Sequence, residues 1–60
     1  MVWLACDKDG TELVSTGEPF KNGDDKWEIE RFEETVNLLK GSIKKLIGRE
    51  LSWSDSPVEI

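Results

Sequence analysis

The sequence predicts an α+β fold: a small antiparallel sheet of three to five short strands with one short helix near residues 42–47. Three observations carry this. Short apolar runs recur between turn formers, at 2–6, 11–15 and 35–39. The dipeptide Asp9-Gly10 separates the first two runs, as in a β-hairpin. Glycines at 41 and 48 bracket the single segment with compact helical spacing.

Taken in order, residues 2–6 and 11–15 read as a hairpin across "DKDG". A two-residue or a four-residue loop places Leu4, Cys6 and Leu13 on one face and Trp3, Ala5 and Val14 on the other. The stretch "TGEPFKNGDD" is dense in turn formers, including the Asn22-Gly23 pair, and reads as a loop anchored by Phe20. "KWEIERF" alternates as a half-buried strand does. Phe32, Val36, Leu39, Ile43 and Leu46 also fall at helical spacing over a longer window, so strand and helix compete over 27–39. Gly41 and Ser42 favour a break followed by a helix N-cap. The helix then covers Ser42 to Ile47, with Gly48 as C-terminal cap, and "TVNLL" becomes a strand. In the tail, Leu51 and Trp53 alternate, "SDSP" turns, and Val58 and Ile60 alternate again. Pro57 restricts that last piece to an edge position or a strand start.

Sixty residues read as a single small domain, 1–60, which buries only about 60% of the surface its unfolded chain exposes. Its five aromatics, Trp3, Phe20, Trp27, Phe32 and Trp53, suffice for one core but not for a core and a deep substrate cavity. Net charge is −5, which disfavours a general nucleic-acid coat. The charge is polarised: residues 24–34 carry six acids against two bases, whereas 40–49 carry four cations and no acid. No run approaches the length of a membrane span, and "MVWLAC" is too short and lacks the basic leader of a signal peptide. A lone cysteine and no disulfide point to a reducing, cytoplasmic setting.

The segments "WLACDKDGTE" at 3–12 and "KGSIKKLIGRELSWSDSPVE" at 40–59 resemble short proteins of gut Bacteroides-type bacteria and phage-like genomic regions, over about half the chain. The resemblance implies a bacterial cytoplasmic or mobile-element setting. It carries over no activity and no functional residue.

Candidate chemistry is sparse. Setting Asp7, Asp9 and Gly10 on a calcium loop puts Ala5 and Thr16 where two carboxylates are required, so the motif fails. One cysteine and no histidine cannot supply the usual zinc set, and Cys6 has no histidine to activate it as a nucleophile. Glu28 with Glu30, or Glu33 with Glu34, lack the cleft that paired acid–base work needs. No cofactor or metal is expected.

The helix offers Ile43, Leu46 and Ile47 as a buried stripe and leaves Lys44 and Lys45 outward. One stripe cannot cover both faces of the hairpin, so an apolar patch should remain around Trp3 or the helix flank. The expected function is therefore a non-catalytic module that binds an unidentified protein, with Lys40, Lys44, Lys45, Arg49, Trp3 and Val14 as the interaction patch and a weak homodimer among its outcomes. Two alternatives stand beside it. One is a nucleic-acid accessory protein using the basic 40–49 segment. The other is an acidic nucleic-acid mimic using the acids at 24, 25, 28, 30, 33 and 34.

Overall fold

A computed structural model describes residues 1–21, 23 and 25–60. The chain is α+β. Strands β1 (Trp3–Cys6), β2 (Glu12–Ser15), β5 (Thr35–Leu38) and β6 (Val58–Glu59) form a four-stranded antiparallel sheet in the order β5-β2-β1-β6. Strands β3 (Phe20–Lys21) and β4 (Trp27–Glu28) form a separate two-stranded sheet. The helix α1 spans Ser42–Ile47. Asn22 of the Asn-Gly pair and Asp24 of the acidic run lie outside the described residues.

The first hairpin corrects the expected faces. Asp7 N–H donates to Thr11 O at 2.8 Å and Gly10 N–H donates to Asp7 O at 3.0 Å, with Gly10 at φ 92°. The loop is therefore odd: three residues, 8–10, lie between the closing pair, and glycine takes the left-handed position that such a turn requires. Because side chains alternate with period two, an odd loop moves every β2 side chain to the face opposite the one an even loop gives. Leu4 stands across from Val14 and Ala5 across from Leu13. One face carries Leu4, Cys6, Glu12 and Val14; the other carries Trp3, Ala5, Leu13 and Ser15.

The core lies on the first of these faces. Leu4, Cys6, Ile43 and Leu51 are buried together, with Val14, Leu38, Ile47 and Val58 packed against them. The helix contributes Ile43 at its centre and Ile47 at its margin. Leu46, expected in the same stripe, is 57% exposed. It sits about 60° around the helix from Ile43, on the flank away from Ile47, and a helix of six residues is too short to bury both flanks. The second face is also closed at its centre, since Ala5, Leu13 and Ser15 are buried. Pro19, in the connection between β2 and β5, is buried too, whereas Phe20, the expected anchor, is 41% exposed.

The helix start is held by a distant side chain. Gly41, at φ 93°, occupies the N-cap and offers no side chain. Ser42, the expected cap, instead donates its hydroxyl to Leu39 O at 2.6 Å. Glu12 on β2 accepts from Gly41 N–H at 2.8 Å and from Ile43 N–H at 2.9 Å, one bond to each carboxylate oxygen. A carboxylate there satisfies otherwise unpaired helix donors. Gly48 ends the helix as expected, at φ 80° with its N–H donating to Lys44 O. The long strand expected at 26–32 contracts to Trp27–Glu28, and Leu51 and Trp53 lie outside strands. β6 begins directly after Pro57 and occupies a sheet edge.

Candidate functional site

The sheet has two edges, β5 and β6, and their surroundings differ. On β5, Thr35, Val36 and Asn37 are exposed and only Leu38 is half-buried. Val36 stands opposite Val14, which places it on the face that α1 covers, but it lies beyond the cover and is 59% exposed. Phe32 just before the strand is 79% exposed and Leu39 just after it is 85% exposed. With Leu46, these make four of the seven large hydrophobics that are exposed among the described residues, and all four fall between positions 32 and 46. Of the remaining three, Met1 and Ile60 lie near each other, where Val2 and Ile60 exchange backbone bonds beyond β6, and Phe20 lies on β3. Apolar exposure is thus concentrated on β5 and the flank of α1.

Cations are interleaved with it. Lys40 is exposed in the turn between β5 and α1, Lys44 and Lys45 are exposed on the helix, and Arg49 is exposed just after Gly48. The structure keeps these four near α1 but does not bring Trp3 and Val14 to one place. Trp3 is half-buried on the face away from the helix, and Val14 packs into the helix-side core. The shared patch expected for those two residues is corrected by the odd hairpin loop. At the two places named for a residual apolar patch, Leu46 on the helix flank is exposed, Trp3 is half-buried and Met1 beside it is exposed.

Val36 and Leu39 were not singled out as surface residues by the sequence reading. A signal existed: Phe32, Val36, Leu39 and Leu46 belong to the helically spaced series that competed with the strand assignment. Of the five members of that series only Ile43 is in the core.

A second cluster ties the small sheet to the large one. The Trp27 indole Nε1–H donates to Cys6 O at 2.9 Å, and its backbone N–H donates to Asp7 Oδ1 at 2.9 Å. The rings of Trp27 and Trp53 lie 5.5 Å apart at 60°. The Lys21 ammonium sits 4.3 Å from the Trp53 ring centroid and 5.1 Å from that of Trp27. A cation over aromatic faces contributes about 0.5–1 kcal/mol at a site this exposed. The tryptophans thereby fasten residues 25–28 against the end of β1, where Lys8 N–H also donates to Asp25 O.

Cys6 is buried, and its thiol lies 3.5 Å from Asp7 O. Burial pushes its pKa up, and the nearby carboxylates of Glu12, Asp7 and Asp9 push it further, against a smaller opposing effect of Lys40. A thiol held in that state is a poor nucleophile. The concavity beside it, about 270 Å³, is lined by Cys6, Gly10, Glu12, Lys40, Gly41, Glu50 and Leu51. Glu12 is already committed there to capping the helix. Among the described residues, no group of three or more histidine, cysteine, aspartate or glutamate side chains is placed to hold a metal ion, and no helix is long and apolar enough to cross a membrane.

No protein-family model, curated protein or solved structure matches the chain. The geometry of β5 and α1 is therefore the basis for a functional reading. Of the acidic run, Asp25, Glu28, Glu30 and Glu34 are exposed and Glu33 is half-buried.

Proposed function

We propose that this chain is a non-catalytic protein-interaction module that docks through β5 and the adjoining flank of α1. One observation carries the reading: four of the seven exposed large hydrophobics among the described residues, Phe32, Val36, Leu39 and Leu46, fall on β5, directly beside it or on α1, in the stretch of chain that also exposes Lys40, Lys44 and Lys45. Apolar exposure of that kind beside charged residues marks interaction surfaces more often than scattered exposure does. The partner is a protein whose surface offers apolar side chains with an acid beside them. Two further features support a non-enzymatic role: the Cys6 thiol is held protonated by burial and neighbouring carboxylates, and the concavity beside it is small for a substrate pocket. A cytoplasmic, bacterial or mobile-element setting fits the resemblance of the 3–12 and 40–59 segments.

The test compares the wild-type chain with Leu39→Asp and Leu46→Asp as immobilised baits in nuclease-treated lysate. The expected result is a protein retained by the wild type and lost by both variants. The reading fails if the pure chain turns over a substrate and a point change abolishes it. It also fails if the main ligand is DNA or RNA and is lost in a Lys44→Glu, Lys45→Glu double variant.

A further inference from the structure

The β5 border has a self-complementary edge, and the partner it fits is identified by that property. We propose that β5 pairs antiparallel with β5 of a second copy of this chain, about a two-fold axis perpendicular to the sheet at Asn37. This rests on the protein-docking reading above and names its partner.

Backbone parity comes first. Thr16 N–H donates to Glu34 O at 3.0 Å, and Glu34 N–H donates to Thr16 Oγ1 at 3.0 Å, so Glu34 turns its backbone polar groups toward β2. Bonded and non-bonded pairs alternate along an antiparallel ladder. In the register Val14↔Val36 and Leu13↔Asn37, Val36 therefore also turns toward β2, and Thr35 and Asn37 turn outward. Their exposed N–H and C=O groups form a strand template with nothing beyond it among the described residues.

The edge also lacks the usual guards. Natural sheets block edges with short strands, proline, bulges or lysine within the strand. β6 has two such devices: it is two residues long and follows Pro57. β5 has four residues, Thr-Val-Asn-Leu, with no proline and no charge.

Side-chain complementarity then selects the register. Residues directly opposite in an antiparallel pair share a face, so the axis must pass through a residue and not between two. An axis at Val36 sets Glu34 against Leu38 of the second copy, a charge against an apolar side chain. An axis at Thr35 sets Glu34 against Val36, with the same fault. An axis at Asn37 sets Val36 against Leu38, twice by symmetry, and brings Glu34 of each copy to the end of the other's β5, where Lys40 enters the turn toward α1. Acid thus meets base at both ends, the apolar side chains meet between them, and Asn37 pairs with itself through its outward backbone groups. A two-fold interface of this kind closes on itself and does not propagate.

Sedimentation equilibrium of the full chain, from micromolar to millimolar concentration, tests the pairing. The wild type is expected to form a dimer, and Asn37→Pro to remain folded but monomeric. Lys40→Glu and Glu34→Lys are each expected to weaken association about tenfold, because each replaces two attractive pairs with two repulsive ones. The double variant Glu34→Lys, Lys40→Glu should recover most of the lost affinity. A dimer that survives Asn37→Pro, or a double variant no better than the singles, overturns the proposed register. A strictly monomeric wild type overturns the second copy as partner. If that monomer still retains a protein that Leu39→Asp loses, the docking reading stands without the dimer; if it retains none, both fall.

Discussion

The two edges of one sheet have been finished differently. β6 is closed by Pro57 and pairs only through Val58 and Glu59, with Val2 and Ile60 adding reciprocal backbone bonds of 3.3 and 2.9 Å beyond the strand. β5 runs for four residues, pairs with β2 along its whole length and has no strand on its outer side among the described residues. Both edges belong to the same small core, so stability alone does not account for the asymmetry. An edge kept short and proline-capped avoids other strands; an edge left long, uncharged and apolar-flanked invites them. The difference is the basis on which docking is proposed for β5 and not for β6.

Several substitutions break or sharpen that contrast. The largest effect is expected from proline within β5, where adjacent positions should diverge. At Val36 proline removes a donor that faces β2, which breaks a ladder bond and leaves its acceptor unpaired, at a cost of about 1–3 kcal/mol before any steric clash with β2. A chain of this length has only about 3–9 kcal/mol of total stability. Val36→Pro should therefore lose a large share of that stability by circular dichroism, while Asn37→Pro, whose donor faces outward, should keep a near-native urea midpoint. Equal destabilisation at the two positions would show that β5 does not present the alternation described.

Next in size is Glu12→Ala. It removes both carboxylate bonds to the start of α1, the helix that borders β5, and should cost about 2 kcal/mol. Glu59→Ala on the opposite edge touches no such cap and should stay within about 0.5 kcal/mol. Urea titration of the two variants side by side checks the difference, and parity between them would remove Glu12 from its capping role.

Leu39→Asp should lower docking strongly with little change in stability, about 0.5 kcal/mol or less, because Leu39 is largely exposed. A drop in the thermal midpoint comparable to that of Glu12→Ala would mean that Leu39 belongs to the core after all.

The smallest effect concerns acid. Asp9 accepts from Thr11 N–H at 2.9 Å and Asp55 accepts from Ser52 N–H at 2.8 Å. These bonds hold both carboxyls below the ordinary aspartate pKa. A group whose folded pKa is depressed adds stability above its unfolded pKa and loses it as pH falls through the folded value. Acidification through and below the usual aspartate range should therefore loosen the hairpin turn and the turn that leads into β6, with the β2–β5 pairing less affected. Backbone amide shifts near residues 9–11 and 52–55, followed through an acid titration, should hold through the usual aspartate range and move only below it. Movement of these two turns at or above the ordinary aspartate pKa would contradict the stabilising role of the two bonds.

Much of the scaffold was legible in the chain because it is set by local chemistry. Gly41 and Gly48 bracket a helix whose limits match the expected ones, and Pro57 places β6 at an edge. The face assignment was not legible, because Asp9-Gly10 signals a turn without stating its length, and one residue of difference reverses every side chain of β2. Nor was the helix cap, since Glu12 lies 29 and 31 positions from the donors it satisfies. The exposed apolar border along β5 was half visible. Its apolar series was evident, but periodicity reports spacing and not which members a short helix can cover. The basic cluster at 40–49 was placed correctly around α1, while the exposed residues beside it depended on knowing that β5 is an edge.

Amide hydrogen exchange at Val36 and Asn37, followed by NMR as a function of protein concentration, tests the outward-facing edge most directly. The account predicts that Val36 is protected at every concentration, whereas Asn37 exchanges freely in dilute solution and gains protection as the concentration rises. Asn37 protection that is independent of concentration, whether high or absent throughout, would contradict the pairing of β5 with a second copy.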